Sequence, residues 1–458
     1  MSNLMKNSNF INKGKNVLSV IAINWAIIFI SLESLSLAFY FITQKQFFYT
    51  RNKTQEPVVE DIERIGIRLD DSTVERLHPF FGYVQKQGSF TNKKFNLKVN
   101  RNGFFTQQQE YPFTKTSKNQ FIVGIFGGSV ANNLAVEEYK SNILSKKLKS
   151  YSEFANQEIV VLNFANGGYK QPQQLLILNY FLALGQEFDL VVNIDGFNEV
   201  ALSNLNNKSQ LDLGMPSVQH IQPLTDLAND NLSEEAMTSI VKISENKKQL
   251  RTTIDKLQNC QLALCNAVTS IQVRLLLKNY QQAIIKYDQQ VKNSKTDPKN
   301  SGTVYIPKAD TVLDDASAFS KIVSMWYESS VMMNQILSTR NIKYLHFVQP
   351  NQYYLTQRVF TEKEKQFVLV KDSPYIEGVT KGYPLLLSKV DDLQKAGVNV
   401  FSGVNILDNI KETVYKDSCC HYNLVGQEVF AKYVSSSIVK VFRESPEDNK
   451  PQKEDKTK

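Results

Sequence analysis

Between residues 17 and 44 the chain carries one charge, Glu33, among Leu18, Val20, Ile21, Ile23, Trp25, Ile27, Ile28, Phe29, Ile30, Leu35, Leu37, Phe39 and Phe41. A run that long crosses a hydrocarbon core of about 30 Å as one helix. It exceeds a signal-peptide core, and no small-x-small cleavage site follows it. Further on the pattern shortens. Five continuous apolar runs, 121–126, 159–162, 190–194, 344–348 and 398–401, predict buried strands. Stretches 137–148, 173–184, 318–337 and 384–396 between them predict helices. Alternation of the two implies an α/β fold whose parallel sheet is covered on both faces.

One stretch breaks the alternation. Met237, Ile240, Ile243, Leu250, Ile254, Leu257, Leu264, Val268, Ile271 and Leu275 recur at three-to-four spacing and predict long amphipathic helices. Such an insertion is either a packing or lid element or a partner-docking hairpin. The expected order is a cytoplasmic N-terminus (1–16), a transmembrane anchor (17–44) and a stalk (45–76). A first catalytic part (77–205), a helical insertion (206–312), a second catalytic part (313–443) and a disordered tail (444–458) follow. Pieces 78–84 and 97–104 read as short extended segments bounded by turn residues.

Composition narrows the class. A chain of 458 residues, 42% hydrophobic and 21% charged, is a folded protein. Its net charge of +8 is scattered in small clusters such as Lys146-Lys147, so nucleic acid is not an expected partner. Lys6, Lys13 and Lys15 precede the apolar run, and Lys45, Arg51 and Lys53 follow it. The balance leans towards a cytoplasmic N-terminus and an extracytoplasmic catalytic part.

Four segments carry chemistry: Phe126-Gly127-Gly128-Ser129, Asn163 through Gly168, Gly196-Phe197-Asn198-Glu199, and Asp417 through His421. Ser129, Gly168, Asn198 and Gln349 each fall just after a predicted strand, where parallel sheets bind ligands. Together the segments supply a serine nucleophile, a histidine base and amide donors for an oxyanion. Ser129 N–H, Gly168 N–H and the Asn198 side chain are the candidate donors, each worth about 3 kcal/mol in known holes. No cofactor is called for, and Cys419-Cys420-His421 lacks zinc-ligand spacing, so no metal is expected.

These blocks resemble the SGNH/GDSL hydrolase family, in particular its membrane-anchored bacterial members, over residues 77–442 apart from the insertion. The resemblance implies a flavodoxin-like three-layer fold, with Ser129 and His421 catalytic and Ser129, Gly168 and Asn198 forming the oxyanion hole. The sequence departs from the family twice. Gly128 stands where aspartate is frequent, and the usual aspartate three residues before the histidine is replaced by Ser418. Asp417, four residues before His421, orients the imidazole only if the loop bulges; otherwise a backbone carbonyl must do so.

His78 and His346 read as structural, and His220 as a solvated loop residue. Gln349 and Asn351, in a segment similar to one in anchored family members, are candidates for the substrate pocket. Glu33 is either softened by Ser31, Ser34 and Ser36 or contacts a membrane partner. If Cys260 and Cys265 share one helix they are too far apart to pair, and Cys419 and Cys420 form at most a strained vicinal ring. A bridge from the insertion to the histidine loop is then the expected pairing. Sequons stand at Asn52, Asn207 and Asn231.

The expected function is hydrolysis of acyl, chiefly acetyl, esters on envelope or surface carbohydrate, and the expected substrate partner is an acylated carbohydrate or lipid. The alternatives are acyl transfer to an envelope polymer with a membrane acyl-donor partner, and a non-catalytic envelope protein that kept the fold.

Overall fold

All five continuous apolar runs enter one sheet, because a strand covered on both faces needs apolar side chains on both. The strands are β1 (Gln120–Gly127), β2 (Glu158–Asn163), β3 (Leu190–Asp195), β4 (Lys343–Val348) and β5 (Asn399–Ser402). Every pairing is parallel, in the order β5-β4-β3-β1-β2. That is the flavodoxin-like doubly wound order, whose direction reverses between β1 and β3 and opens a crevice at their carboxyl ends. Register aligns those ends: Ile125 pairs with Asn163, Gly127 with Ile194 and Asp195 with Val348.

In this computed structural model the described residues are 2–51, 75–92, 94–107, 109–228, 234–293, 309 and 311–444. Sequons Asn52 and Asn231, most of the expected stalk, the loop at 294–302 and all but the first residue of the expected tail lie outside them. The chain divides into two units, Ser72–Leu232 with Lys295–Lys458 and Met1–Asp71 with Ser233–Ser294.

The first of these units holds the sheet. Helices α2 (Ser129–Ser141), α3 (Ile143–Lys149) and α13 (Leu424–Glu444) pack together as one set. A second set is α4 (Gln173–Ala183), α5 (Phe197–Lys208), α9 (Asp315–Ser338) and α11 (Ile376–Ser388). α2 begins eight residues earlier than the periodicity suggested, since Val130, Ala131, Leu134 and Ala135 form its buried face, and it stops at Asn142, whose φ is 55°. Pro384 lies inside α11 and does not start a helix. α6 (Val218–Ala228) packs against α5 and the strand Glu75–His78, so this part of the expected insertion belongs to the sheet unit. The Asn207 side chain is buried and bonded to both backbone groups of Leu313, which removes it as a glycosylation site.

The second unit consists of α1 (Ser2–Gln44) and a hairpin of α7 (Glu234–Asn259) and α8 (Ala263–Asn293). Leu250, Ile254, Leu257 and Val273 close the seam of the hairpin. Within α1 the stretch Ile23–Gln44 is long and apolar enough to cross a membrane, with a mean hydropathy of 1.9. Cys260 and Cys265 are joined by a disulfide with a Cα separation of 5.7 Å, which corrects the expected bridge to the histidine loop. The premise failed because the two do not share a helix: Cys260 lies in the turn after α7 and Cys265 in the first turn of α8.

Candidate active site

β1 ends at Gly127, Gly128 is the N-cap of α2, and Ser129 is the first residue of that helix. Its N–H is one of the donors a helix start leaves without an intrahelical partner, at the positive end of the helix dipole. Ser129 Oγ lies 2.7 Å from His421 Nε2, and His421 Nδ1 lies 2.5 Å from Asp417 Oδ2. The loop does bulge. Asp417 Oδ1 accepts the N–H groups of Cys419, Cys420 and His421 at 3.0, 3.2 and 3.3 Å, and this wrapped turn brings a carboxylate four residues back onto the ring.

Electrostatics follow from that packing. Burial alone would push Asp417 up, but the adjacent imidazole and the Cys419 N–H hold it well below the usual carboxylate range. Burial works against a charged His421, yet Cys420 and Asp417 raise it above an ordinary imidazole. Cys420 is its counterpart: burial opposes the thiolate, while Cys419 and the imidazole lower the thiol. Cys420 Sγ lies 3.9 Å from Ser129 Oγ and 3.2 Å from Cys419 Sγ.

Gly168 sits in the turn after β2 with φ +74°. Tyr83 Oη donates to the Gly167 carbonyl at 2.7 Å, and the Asn166 side chain accepts the Gly167 N–H at 2.9 Å. Asn198, in the first turn of α5, donates its Nδ2 to the Tyr169 carbonyl at 2.8 Å. A Cβ at Gly128 would come within 2.1 Å of that nitrogen, so the missing side chain makes room for the Asn198 amide. Buried Glu199 ties the two loops together by accepting Gln171 N–H and Gly196 N–H at 3.1 and 2.7 Å. Burial and neighbouring Asp195 push its carboxyl up.

The Asn351 side chain is bonded to the histidine loop. Its Nδ2 donates to the Cys419 carbonyl at 3.0 Å, and its Oδ1 accepts Tyr353 N–H at 3.0 Å. Gln352 Nε2 donates to the Asp417 carbonyl (3.2 Å), Tyr353 Oη to the Ser418 carbonyl (2.8 Å) and Tyr422 Oη to the Pro350 carbonyl (2.7 Å). The segment after β4 is therefore a clamp on the histidine loop. Gln349 differs, because its buried Nε2 has no hydrogen-bond partner among the described residues. Glu364 and Arg358, which the sequence did not single out, hold the chain ahead of the loop. Glu364 accepts Val414 and Tyr415 N–H and pairs with Arg358 Nη2 at 2.8 and 2.9 Å.

The remaining histidines separate cleanly. His346 is fully buried between Asp195 (2.7 Å) and Ser330 (2.8 Å) in the core. His78 accepts the N–H groups of Phe80 and Phe81 with its Nδ1, a turn-forming role. His220 is not a solvated loop residue: it lies on α6, bonded to Glu75 at 3.0 Å and stacked on Tyr83. Among the described residues, Cys419, Cys420 and His421 alone have three ligand-type atoms within 4.8 Å of one another. Both ring nitrogens of His421 already face Ser129 and Asp417, so a metal there would break the serine–histidine contact.

No family model matches the chain, and no curated protein matches it in sequence. Among solved structures, a chain named as a "putative acylhydrolase" from Bacteroides fragilis is similar at 11% identity. The match covers 72% of this chain and 90% of that chain, with a TM-score of 0.31. What the site can do rests on its own geometry.

Proposed function

We propose that this chain is a membrane-anchored serine ester hydrolase. The single observation that supports it most is the unbroken line Ser129 Oγ, His421 and Asp417, at 2.7 and 2.5 Å. In that reading His421 takes the Ser129 proton as Oγ attacks an ester carbonyl, and Asp417 steadies the imidazolium that forms. The oxyanion is received by the Ser129 and Gly168 N–H groups and the Asn198 amide. His421 then returns the proton to the leaving alcohol, and water completes the second half of the cycle.

The acyl group, expected to be acetyl, and the envelope carbohydrate that bears it come from the resemblance to anchored SGNH proteins. The Cys260–Cys265 disulfide supports an oxidising compartment, and Lys6, Lys13 and Lys15, ahead of the apolar run, support a cytoplasmic N-terminus. Transfer of the acyl group to a second alcohol is the other reading.

Full-length protein in detergent is treated with a fluorophosphonate ester and weighed intact. One adduct is expected on wild type and none on Ser129→Ala or His421→Ala. A folded wild type that stays unlabelled, or a labelled Ser129→Ala, overturns the reading. Acetate release from acetylated glycans without an added acceptor identifies a hydrolase; release only with an acceptor identifies a transferase.

A further inference from the structure

Glu33 stands eleven residues, about 16 Å, before the end of α1, half the thickness of a hydrocarbon core. Its carboxylate is fully engaged. Oε1 accepts the Ala263 N–H at 2.7 Å and Tyr49 Oη at 3.2 Å, and Oε2 accepts the Leu264 N–H at 2.8 Å. Glu33 thus caps the start of α8, a segment 230 residues away. Arg51 satisfies the same turn from the other side by donating to the Cys260 carbonyl at 2.7 Å, its guanidinium 3.6 Å from the Phe48 ring centroid.

The seam between the helices is a stripe. Among the described side chains of α1, Glu33, Ser36, Leu37, Tyr40 and Gln44 are the partly shielded positions, at three-to-four spacing, while residues 23–32 are exposed throughout. α8, which contacts α1, therefore runs from the level of Glu33 towards that of Gln44. From Leu257 to Val273 the hairpin tip carries no charged residue. Its outer face shows Val268, Ile271 and Leu275 at 48, 60 and 58% exposure, and Leu35, Phe39 and Ile42, on the side of α1 turned away from the Glu33 stripe, are 63–67% exposed.

We propose that this tip enters the lipid bilayer beside α1 as a re-entrant element, so that lipid covers the Val268–Ile271–Leu275 face. The inference rests on α1 spanning a membrane. Irregular backbone at membrane depth is tolerated only where protein satisfies its polar groups. At this turn Glu33 and Arg51 do so for two N–H groups and one carbonyl. A carboxylate placed within the apolar run is thereby accounted for. The exposed face is apolar and belongs to an uncharged tip that Glu33 holds at mid-span depth, which selects lipid as its occupant over an aqueous partner.

The test uses full-length protein in liposomes of ordinary or bromine-labelled phosphatidylcholine, with tryptophan fluorescence as readout. Trp25 reports α1, and Trp326, in the core of the other unit, gives the same background in every sample. Trp25→Phe combined with Ile271→Trp reports the tip. Trp25→Phe with Thr238→Trp reports α7 far from it, about 30 Å along the helix. Brominated lipid is expected to quench the residue-271 signal by roughly half, as it does Trp25, and to leave the residue-238 signal unchanged. Quenching of Trp25 without quenching at 271 overturns the inference and leaves the anchor standing. Quenching of neither shows that α1 itself does not span. A residue-271 signal shielded from aqueous acrylamide but untouched by bromine identifies protein, such as a second copy, as the cover and also overturns it.

Discussion

Gly168 and His220 adjoin so closely that no methyl group fits between them. A Cβ at 168 would meet His220 Cδ2 at 2.4 Å and Tyr83 Oη at 2.6 Å, and the backbone there has φ +74°. His220 cannot easily withdraw, because Glu75 holds its Nδ1 and Tyr83 stacks on its ring at 4.9 Å. Gly168→Ala should therefore cost about 1–3 kcal/mol of stability from backbone strain. It should lower kcat by about 10²–10³ if the 168 N–H is displaced from the oxyanion. Adding His220→Ala removes the closest contact but leaves Tyr83 Oη at 2.6 Å and the strained φ, so the double variant should recover only part of the Tm. Thermal unfolding and esterase kinetics on both variants check this.

Asp417 sets the pH range of the proposed base. The active form of His421 is the neutral ring, and its surroundings raise its pKa. kcat/KM should therefore climb with pH through a limb above that of an unperturbed imidazole near 6.5. Asp417→Asn removes one cause of that rise and should move the limb to lower pH while reducing kcat by up to about 10⁴. Stability links the other way for the two groups. The raised His421 adds stability that is complete below about pH 6.5 and fades as pH rises through its folded value. The depressed Asp417 adds stability present above about pH 4 and lost in acid. A full pH–rate profile of wild type and Asp417→Asn tests the sign.

Glu364 is the acid-sensitive buttress of the histidine loop. Burial would raise its carboxyl, but the Val414, Thr361 and Tyr415 N–H groups and Arg358 bring it below the ordinary value. Its contribution is present above about pH 4.3 and is lost as pH falls through the lower folded value. Glu364→Gln leaves the buried Arg358 guanidinium without its carboxylate and should destabilise by about 3–5 kcal/mol. The wild-type drop in Tm between about pH 5 and pH 3 should be smaller in the variant. Calorimetry across that range decides it.

What the sequence disclosed depended on locality. A strand buried on both faces is written in its own residues, so all five runs of the sheet were readable, and with them the positions of Ser129, Gly168 and Asn198 at strand ends. Roles created by distant partners were not readable. Nothing near Glu33 announces that it caps Ala263 and Leu264, and nothing near Asn351 announces the Cys419 carbonyl. His220 was misplaced because the polar residues around it suggested a loop, whereas Ile221 and Thr225 are buried on one face of a helix. The disulfide was missed for a similar reason: the helix break between Asn259 and Ala263 has no glycine or proline to mark it.

Cys420 offers a separate handle on the same imidazole. Its sulfur is buried, 3.9 Å from Ser129 Oγ, and is among the groups that raise His421. Cys420→Ala removes that sulfur while Asp417 and Ser129 keep their contacts with the ring. The kcat/KM limb should then move to lower pH, and the displacement should add to that of Asp417→Asn only in part, because both groups act on one proton. The lost buried thiol should also cost stability on the order of 1 kcal/mol. If instead Cys420→Ala abolished turnover at every pH while Tm held, the thiol and not the Ser129 hydroxyl would have to be the nucleophile. Ser129→Ala alone would then keep its turnover and lose it to the thiol reagent iodoacetamide, so the two variants measured together assign the attacking atom.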